Sequence, residues 1–395
     1  MAVRGAYIAV ECTRLTLSAV EATLDGSGVR IRSALHLPVP ADLDTEDTAR
    51  MGGWVAGALA DAGIAARRAV LVVPRSSVVL KKLTLPRPAN RHDIPDLVHL
   101  AMTRQLTFGA KDAVVDYLEL DEAGAETGGE FSVLAAAVAG ELLAWHLAVA
   151  KAAGLRPVRV GLRSGGLASL LIEPAMNEGA EEANPQLRLA AEVDRREIGM
   201  IVMRGEEFIF ARATELSANG DAEGEEASRE AHAAAIATEV RRTWMSYRVT
   251  ADAGDIERAF VIGEHALAAE AAAQIQESIG VPTRVFDVHP QIHAESDLPP
   301  GGWPLAGSLL REWGGRPTVN FAKPRKAPDR RQALRQRALL VLAALIIVVG
   351  SAEVLIRKHL ASLRGEYQQL YREVGDLNGD RITLLRQEAR LRHLQ

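Results

Sequence analysis

The chain of 395 residues is poor in several residue types that would point to a particular chemistry. Its one cysteine, Cys12, excludes an intrachain disulfide and a thiolate zinc cluster, and fits a reducing compartment. Aromatic residues make up 4%, and the formal net charge of −5 provides no basic field for nucleic acid. The sequence contains no Walker loop, G-x-S-x-G turn, H-E-x-x-H helix or dinucleotide fingerprint. These absences remove the common enzyme classes from consideration.

Two further features carry no chemistry by themselves. His289 and His293 stand in DVHPQIHAESDLPPGG, but a zinc site needs more ligands, and neither a cysteine nor a third histidine is near. We therefore predict a surface loop there and no metal. The polar stretches EPAMNEGAEEANPQ and SANGDAEGEEAS break the apolar periodicity and predict solvated loops.

A long apolar run lies late in the chain. From Ala338 to Ile356, Glu353 alone is charged, and the run just reaches the roughly 17 to 25 residues that cross a bilayer as a helix. The N-terminus has no signal-peptide cleavage pattern. We predict one transmembrane helix at 338–356 with a cytoplasmic N-terminal part; a buried core helix is the alternative. The basic residues before the run favour this orientation and anionic lipids: Lys323, Arg325, Lys326, Arg330, Arg331, Arg335 and Arg337.

The segment at 357–395 has a seven-residue apolar repeat. One row consists of Ile356, Leu363, Leu370, Leu377, Leu384 and Leu391, and the alternating row of Leu360, Tyr367 and Val374. This pattern predicts a coiled coil beyond the membrane, with a lone amphipathic helix as the alternative. Arg381 and Glu388 interrupt the alternating row, which weakens a symmetric homodimer and suits a partner with complementary charges.

Residues 1–316 have the pattern of an α/β protein in two similar halves. The first half predicts strands near 6–10, 14–20 and 29–37, a helix from Thr45 to Ala62 stopped by Gly63, and the buried strand AVLVVP. The second predicts the strands LRLAAEV, IGMIVMR and EEFIFARATEL, a helix over 228–248, the strand AFVIG, a helix over 266–279 and the strand TRVFDV. An inserted α+β block at 78–155 separates the halves, and a basic linker at 317–337 follows them.

Several of these stretches resemble PilM-type pilus assembly proteins, which have a duplicated actin-like ATPase (ribonuclease H-like) fold. VLVVPRSSVVLKKLTLPR resembles the segment after their first helix, AEVDRREIGMIVMRGEEFIFARATEL their second phosphate hairpin, and AFVIGEHALAAEAAAQIQESIGVPTRVFDV their adenosine strand and helix. From TVNFAKPRK onward, the basic residues, apolar run and coiled coil resemble the start of PilN, the usual membrane partner of PilM. The same order of segments in one chain also resembles GspL of type II secretion.

The resemblance implies a nucleotide cleft between two hairpins, one from each half. Each hairpin needs an acid for the water shell of a metal ion, followed by small residues that let backbone amides approach phosphates. In the first hairpin Glu11 takes the acid position, with Cys12 and Thr13 behind it.

The second hairpin and the adenosine turn depart further from the pattern. Asp194 keeps the acid position, but Arg195 and Arg196 replace the small residues, and Gly263 alone remains of the adenosine turn. We predict a vestigial cleft in which Arg195 fills the phosphate position, so that ATP with Mg²⁺ is not hydrolysed. An arginine can bind anions, so weak nucleotide binding stays open.

The stretch TVNFAKPRK has two interpretations. In separate PilM and PilN proteins, the resemblance implies, a short PilN peptide with an Asn-containing apolar core docks into a groove of PilM. Val319, Asn320 and Phe321 would then bind this chain's own domain or a neighbouring copy, beside the block with VVLKKLTLP. The equal alternative is an extended tether rich in proline.

The resulting functional prediction is a non-catalytic scaffold in the inner-membrane platform of a type IV pilus or type II secretion machine. The resemblance implies three partners: a motor ATPase, a PilO-like or PilN-like membrane protein bound through the coiled coil, and anionic lipids. The alternatives are a membrane-anchored actin-like ATPase, which needs intact phosphate hairpins, and an FtsA-like divisome anchor. FtsA proteins end in a surface-lying amphipathic helix, whereas this chain has a spanning pattern.

Overall fold

The computed structural model describes residues 4–106, 108–109, 112–120, 129–172, 187–193, 197–216, 225–249, 254–286, 289–295, 297–326 and 330–392. The side chains of 225–228, 330–338, 340, 387 and 389–392 are outside this description. The chain divides into two compact units, residues 1–327 and 328–395. The first unit therefore includes the beginning of the predicted linker.

The first lobe is built on a six-stranded sheet in the order β14-β3-β2-β1-β4-β8. Its strands are β1 (Gly5–Cys12), β2 (Thr16–Asp25), β3 (Gly28–Pro38), β4 (Arg68–Val73), β8 (Arg156–Leu162) and β14 (Ile292–His293). The buried run AVLVV forms β4, which pairs in parallel with both β1 and β8. Because β4 is covered on both faces, every residue after Arg68 is buried.

Helix α1 (Thr48–Asp61) begins later than predicted. The N-cap is Asp47 rather than Thr45, since the Asp47 carboxylate accepts the amides of Ala49 and Arg50. The predicted stop is confirmed: Gly63 follows with φ of 70°, a left-handed conformation that glycine adopts without a side-chain clash.

The inserted block forms a separate three-stranded sheet in the order β5-β7-β6. Its elements are β5 (Val79–Pro86), α2 (Ile94–Thr103), β6 (Ala113–Leu120) and β7 (Glu130–Ala139). Its small core includes Val98, Met102 and Val133. Helix α3 (Gly140–Ala152) lies instead on α1, where a Cβ at Gly52 would stand 2.3 Å from that of Ala152. The core of the inserted block therefore ends with β7.

The second lobe repeats the strand order of the first, with a five-stranded sheet β11-β10-β9-β12-β13. Its elements are β9 (Leu187–Val193), β10 (Glu197–Arg204), β11 (Glu207–Glu215), α5 (Glu225–Arg248), β12 (Ile256–Gly263), α6 (His265–Ile279) and β13 (Thr283–Val285). Here β12 pairs in parallel with β9, as β4 does with β1. This repetition confirms the predicted duplication. Of the loops predicted at 173–186 and 217–228, residues 173–186 and 217–224 lie outside the described residues, whereas residues 225–228 begin helix α5 instead of belonging to a loop.

Helix α4 (Arg163–Leu170) connects the two lobes. Its buried Leu167 belongs to one apolar cluster with first-lobe residues and with Ala190, Ile201 and Met203 of the second sheet. Helix α7 (Gly302–Gly314) packs closely on α4, where a Cβ at Gly166 would stand 2.0 Å from the Pro304 carbonyl oxygen. The lobes thus share an apolar contact along α4.

The predicted surface loop at His289 is wrong. His289 is 3% exposed, its Nε2 lies 3.2 Å from the Ile172 carbonyl oxygen, and its Nδ1 accepts the Gln291 amide. Burial lowers the pKa of His289, and a ring whose Nδ1 accepts an amide is in its neutral form. Backbone partners satisfy a ring that the sequence suggested was solvated. Among the described residues, no group of three or more metal-binding side chains is found.

The described part of the second unit is helix α8 (Arg330–Arg392). Among the described residues, no helix is both long and apolar enough to cross a membrane. The transmembrane helix predicted at 338–356, of which the side chains of Ala338 and Leu340 are outside the description, is therefore not confirmed. The coiled coil at 357–395 stays a prediction. In the described part of its stripe, Leu363, Leu370, Leu377 and Leu384 are all exposed on α8.

Candidate functional site

The cleft predicted to hold nucleotide contains a buried ion cluster of three residues. Glu11 lies near the end of β1, Glu192 near the end of β9, and Arg163 is the first residue of α4. Arg163 Nη1 donates to Glu11 Oε1, Nε donates to Glu192 Oε2 at 2.8 Å, and Nη2 donates to Glu192 Oε1. All three guanidinium nitrogens are therefore bonded to carboxylates from the two lobes.

Burial and the neighbouring charges shift the pKa values of Glu11 and Arg163 in this cluster. Burial raises the pKa of Glu11 to about 7, and attraction to Arg163 only partly opposes this. For Arg163, burial lowers the pKa, but Glu11 and Glu192 outweigh it and hold the pKa well above its ordinary value. Glu11 Oε2 is buried without a hydrogen-bond partner among the described residues. The cluster thus carries one more carboxylate than it has cations.

The other predicted cleft residues have structural roles or fall outside the description. Thr13 closes the β1–β2 turn, because its hydroxyl accepts the amides of Leu15 and Thr16 at 3.1 and 2.9 Å. A Cβ at Gly263 would stand 2.5 Å from the Val193 carbonyl oxygen, so β12 and β9 require glycine there. Burial raises the pKa of the Cys12 thiol to about 12, which removes it as a nucleophile. Asp194, Arg195 and Arg196 lie outside the described residues.

Sequence reasoning missed Arg163 and Glu192. The signal for Glu192 was present, since a carboxylate inside the apolar strand LRLAAEV needs a cationic partner when it is buried. Nothing in the sequence identifies that partner as Arg163, 29 residues away. The predicted occupant of the phosphate position, Arg195, lies outside the described residues, so that role stays a prediction. Among the described residues, Arg163 binds Glu11.

A second site holds the tail, residues 317–326, in a groove beside β8. Val319 and Phe321 are 1% and 2% exposed and belong to the main apolar cluster. The Phe321 amide donates to the Val160 carbonyl at 2.9 Å, and the Val160 amide donates to Asn320 Oδ1 at 3.2 Å. The tail therefore bonds to β8 partly as an added strand would, with the Asn320 side chain replacing one backbone carbonyl.

Asp116 of β6 anchors the same tail from the inserted block. Its carboxylate is fully buried and accepts the amides of Asn320 at 2.7 Å and Arg325 at 3.0 Å. The Arg325 guanidinium donates to both oxygens at 2.9 and 3.0 Å and lies 5.5 Å from the centre of the Tyr117 ring. A buried aspartate with this many donors fixes the path of the tail.

The start of the tail is held as well. Arg311 of α7 donates from Nε and Nη2 to the Pro317 carbonyl at 3.2 and 2.7 Å. Thr318 is 9% exposed. The chain therefore passes directly from α7 into the groove, and Val319, Asn320 and Phe321 contact their own domain.

Comparison with known proteins places the chain among pilus proteins. The sequence profile of the family described as "Type IV pilus assembly protein PilM" matches residues 10–230. No curated protein matches. A solved "PilM-PilN type IV pilus biogenesis complex" is 18% identical with a TM-score of 0.63, over 80% of this chain and 100% of that chain.

Two further structures are more distant. The cytoplasmic domain of EpsL, an inner-membrane component of the type II secretion system of Vibrio cholerae, is 12% identical with a TM-score of 0.44, over 81% of this chain and 98% of that chain. A Bacteroides thetaiotaomicron protein with an actin-like ATPase fold is 8% identical with a TM-score of 0.42, over 71% of this chain and 91% of that chain.

The strand order of the two lobes and the fit to the PilM-PilN structure agree on an actin-like ATPase fold. The family match covers more than half of the sequence. The chain belongs to the type IV pilus assembly protein PilM family.

Proposed function

We propose that this protein is a non-catalytic scaffold of an inner-membrane type IV pilus or type II secretion platform, in which the PilM-type domain holds its own anchor. The observation that carries the proposal is the docked tail. Val319 and Phe321 are buried in the domain, and Asp116 binds both Asn320 and Arg325. The solved complex resembling this chain contains PilM together with PilN. Here a PilN-like segment would be part of the same chain.

The anchor itself is the apolar run at 338–356. The basic residues before it support a cytoplasmic N-terminal part and contact with anionic lipids. Reporter fusions after Gly315 and after Gln395 test this topology in bacteria. The fusions should report opposite sides of the inner membrane, and the same side for both would contradict a single span.

The coiled coil at 357–395 is proposed to bind a PilO-like or PilN-like membrane protein. Its exposed leucine stripe supports this, because exposed apolar residues on a long helix are stabilised by a partner. Affinity purification from membranes, with Leu370→Asp and Leu377→Asp as the disrupted pair, should lose that protein while keeping a cytoplasmic motor ATPase. Division proteins in place of pilus or secretion proteins would favour the FtsA-like alternative.

The scaffold is proposed to work without hydrolysing ATP. The three nitrogens of Arg163 bind protein carboxylates, and Glu11 and Glu192 would repel phosphates. Calorimetry of the purified protein with ATP and magnesium should detect neither hydrolysis nor tight binding. A micromolar dissociation constant with phosphate release would favour the actin-like ATPase alternative.

A further inference from the structure

The ion cluster connects the first lobe to the second, and the apolar core connects the same two lobes at another place. Along α4, Leu167 and the second-lobe residues Ala190 and Ile201 share one apolar cluster. At the first residue of α4 the contact becomes polar, since Arg163 binds Glu11 of the first sheet and Glu192 of the second. Arg163 is therefore the ionic bridge between the two sheets at this end of α4.

Because the bridge is buried, the loss of any one of its three side chains would leave a charge without its partner away from water. Arg163 is 15% exposed and both glutamate side chains are 7% exposed. Its pair with Glu192 uses two nitrogens and two oxygens, an arrangement that only arginine can make. Lysine would keep the charge but could not hold both carboxylates in this way.

A second arginine, Arg75, connects the lobes through backbone carbonyls. Arg75 follows β4 and donates from Nε and Nη2 to the Ala211 carbonyl of β11 at 3.2 and 2.9 Å, while its Nη1 donates to the Val78 carbonyl. Arg163 and Arg75 thus each connect the first lobe to the second through hydrogen bonds. This is unlike a cleft closed by a bound anion, in which the charges of the ligand connect the lobes.

We propose that Arg163 is an internal clamp that holds the two lobes closed without nucleotide, so that the PilM-type domain is a permanently closed platform. In this proposal the side chain of Arg163 holds the two lobes together, in place of a bound nucleotide. Removing it should let the lobes separate about the α4 contact, and adding nucleotide to the unaltered protein should change nothing.

The experiment measures the distance between the lobes in the full-length protein reconstituted in nanodiscs. Spin labels are placed at Ala60→Cys on α1 and Glu277→Cys on α6, both exposed positions, in a Cys12→Ala background. Double electron–electron resonance then gives a distance distribution with and without millimolar ATP and magnesium. The unaltered protein should give one narrow distribution, identical in both conditions.

Two variants test the clamp and one controls for general loss of stability. Arg163→Lys should broaden the distribution or shift it to longer distances. The neutral triple variant Glu11→Gln, Arg163→Gln, Glu192→Gln should do the same without unpaired buried charge. Arg159→Lys is the matched control, because Arg159 pairs with Glu312 at 2.8 Å within the first lobe and should leave the distance unchanged.

Each outcome decides the matter. A wild-type distribution in both Arg163 variants would overturn the clamp. A broad distribution in the unaltered protein that narrows only with ATP and magnesium would also overturn it, and would assign closure to nucleotide. If Arg163→Lys fails to fold by circular dichroism, the triple variant and the nucleotide comparison still decide.

Discussion

The two buried polar sites of the PilM-type domain balance their charges differently. At the tail, one carboxylate, Asp116, faces one guanidinium, Arg325, and also accepts two backbone amides. In the cleft, Glu11 and Glu192 share Arg163, and Glu11 Oε2 has no partner among the described residues. A buried carboxylate with all its hydrogen bonds made holds its partners in place. A buried carboxylate that lacks a hydrogen-bond partner binds a proton more readily, so its pKa is raised.

This difference separates two roles for buried charge in one domain. The tail site has balanced charge and attaches a segment, so we expect its variants to release residues 317–326 locally. The cleft site has excess negative charge and joins two sheets, so we expect its variants to act on the stability of the first unit and on its response to pH. The experiments below test that separation from the largest effect to the smallest.

Removing the shared cation of the cleft should have the largest effect. Arg163→Ala leaves Glu11 and Glu192 buried without their cation, which costs about 3–5 kcal/mol of unfolding free energy in comparable sites. Urea denaturation of the detergent-solubilised protein at about pH 8 measures it. Arg14→Ala is the control: the side chains of Arg14 and its partner Glu46 are 57% and 68% exposed, so it should lose less than about 1 kcal/mol. Equal losses would contradict a special role for Arg163.

Removing the apolar anchor of the tail should act locally. Phe321→Ala takes a 2% exposed ring out of the core, a change that costs about 3–5 kcal/mol in other proteins. If that energy holds the tail, the undocked fraction rises about 150- to 5,000-fold, because about 1.4 kcal/mol is a factor of ten. Limited trypsin digestion after Arg325 should accelerate accordingly. Leu15→Ala, at a 66% exposed position, should leave the cleavage rate unchanged. An unchanged rate in Phe321→Ala would mean that the docked tail does not depend on its ring.

Much of this fold could be predicted because its signals are local. The run AVLVV is apolar throughout, so it identifies a buried parallel strand before any partner is known. Gly63 ends α1 through a conformation that its own residue type permits. The start of α1 was misplaced because Thr45 and Asp47 are both good caps, and which carboxylate or hydroxyl reaches the free amides depends on the path of the loop.

The ion partners could not be predicted because pairing depends on the fold. Asp116 and Arg325 are 209 residues apart, and Arg163 and Glu11 are 152 apart. The sequence shows only that Asp116 interrupts the apolar strand AVVDYLEL and that Arg325 belongs to a basic stretch. The basic stretch indicated lipid headgroups, whereas the structure directs Arg325 to a buried carboxylate. Phe321 was the exception, since the resemblance of TVNFAKPRK to a docking peptide of PilN implied an apolar anchor there, with an extended tether as the alternative.

A smaller change at the tail removes the charge of Asp116 and keeps the shape of its side chain, so it tests the contribution of the charge alone. Asp116→Asn keeps the side-chain size but weakens the hydrogen bonds from the backbone amides of Asn320 and Arg325 and from the Arg325 guanidinium. We expect the docking of the tail to lose about 1–3 kcal/mol. Hydrogen exchange of the Asn320 and Arg325 amides should accelerate. The control is Glu119→Gln on the same strand, whose pair with Arg91 is exposed. Unchanged exchange would show that the groove holds the tail by apolar contact alone.

The smallest effect concerns the response of stability to pH. Because burial raises the pKa of Glu11 to about 7 from 4.5, the native state binds a proton that the unfolded state has lost between these values. Glu11 therefore favours folding below about pH 4.5 and loses this contribution as pH rises to about 7, by at most about 1.4 kcal/mol per pH unit. Among the described residues, the charged and titratable groups that act on it are Arg163, Glu192, Glu197 and the neutral thiol of Cys12.

His146 opposes this trend, which makes the comparison of variants necessary. Burial lowers the pKa of His146 to about 4 from 6.5, so its contribution to stability increases as pH rises through that interval. The pH dependence of the stability of the unaltered protein contains the contributions of Glu11 and His146 added together. In urea unfolding between about pH 5 and pH 7, the stability of Glu11→Gln relative to the unaltered protein should increase with pH, whereas that of His146→Gln should decrease. A flat difference for Glu11→Gln would mean that Arg163 keeps Glu11 ionised, so that the missing bond at Glu11 Oε2 does not attract a proton and the two buried sites do not differ in their response to pH.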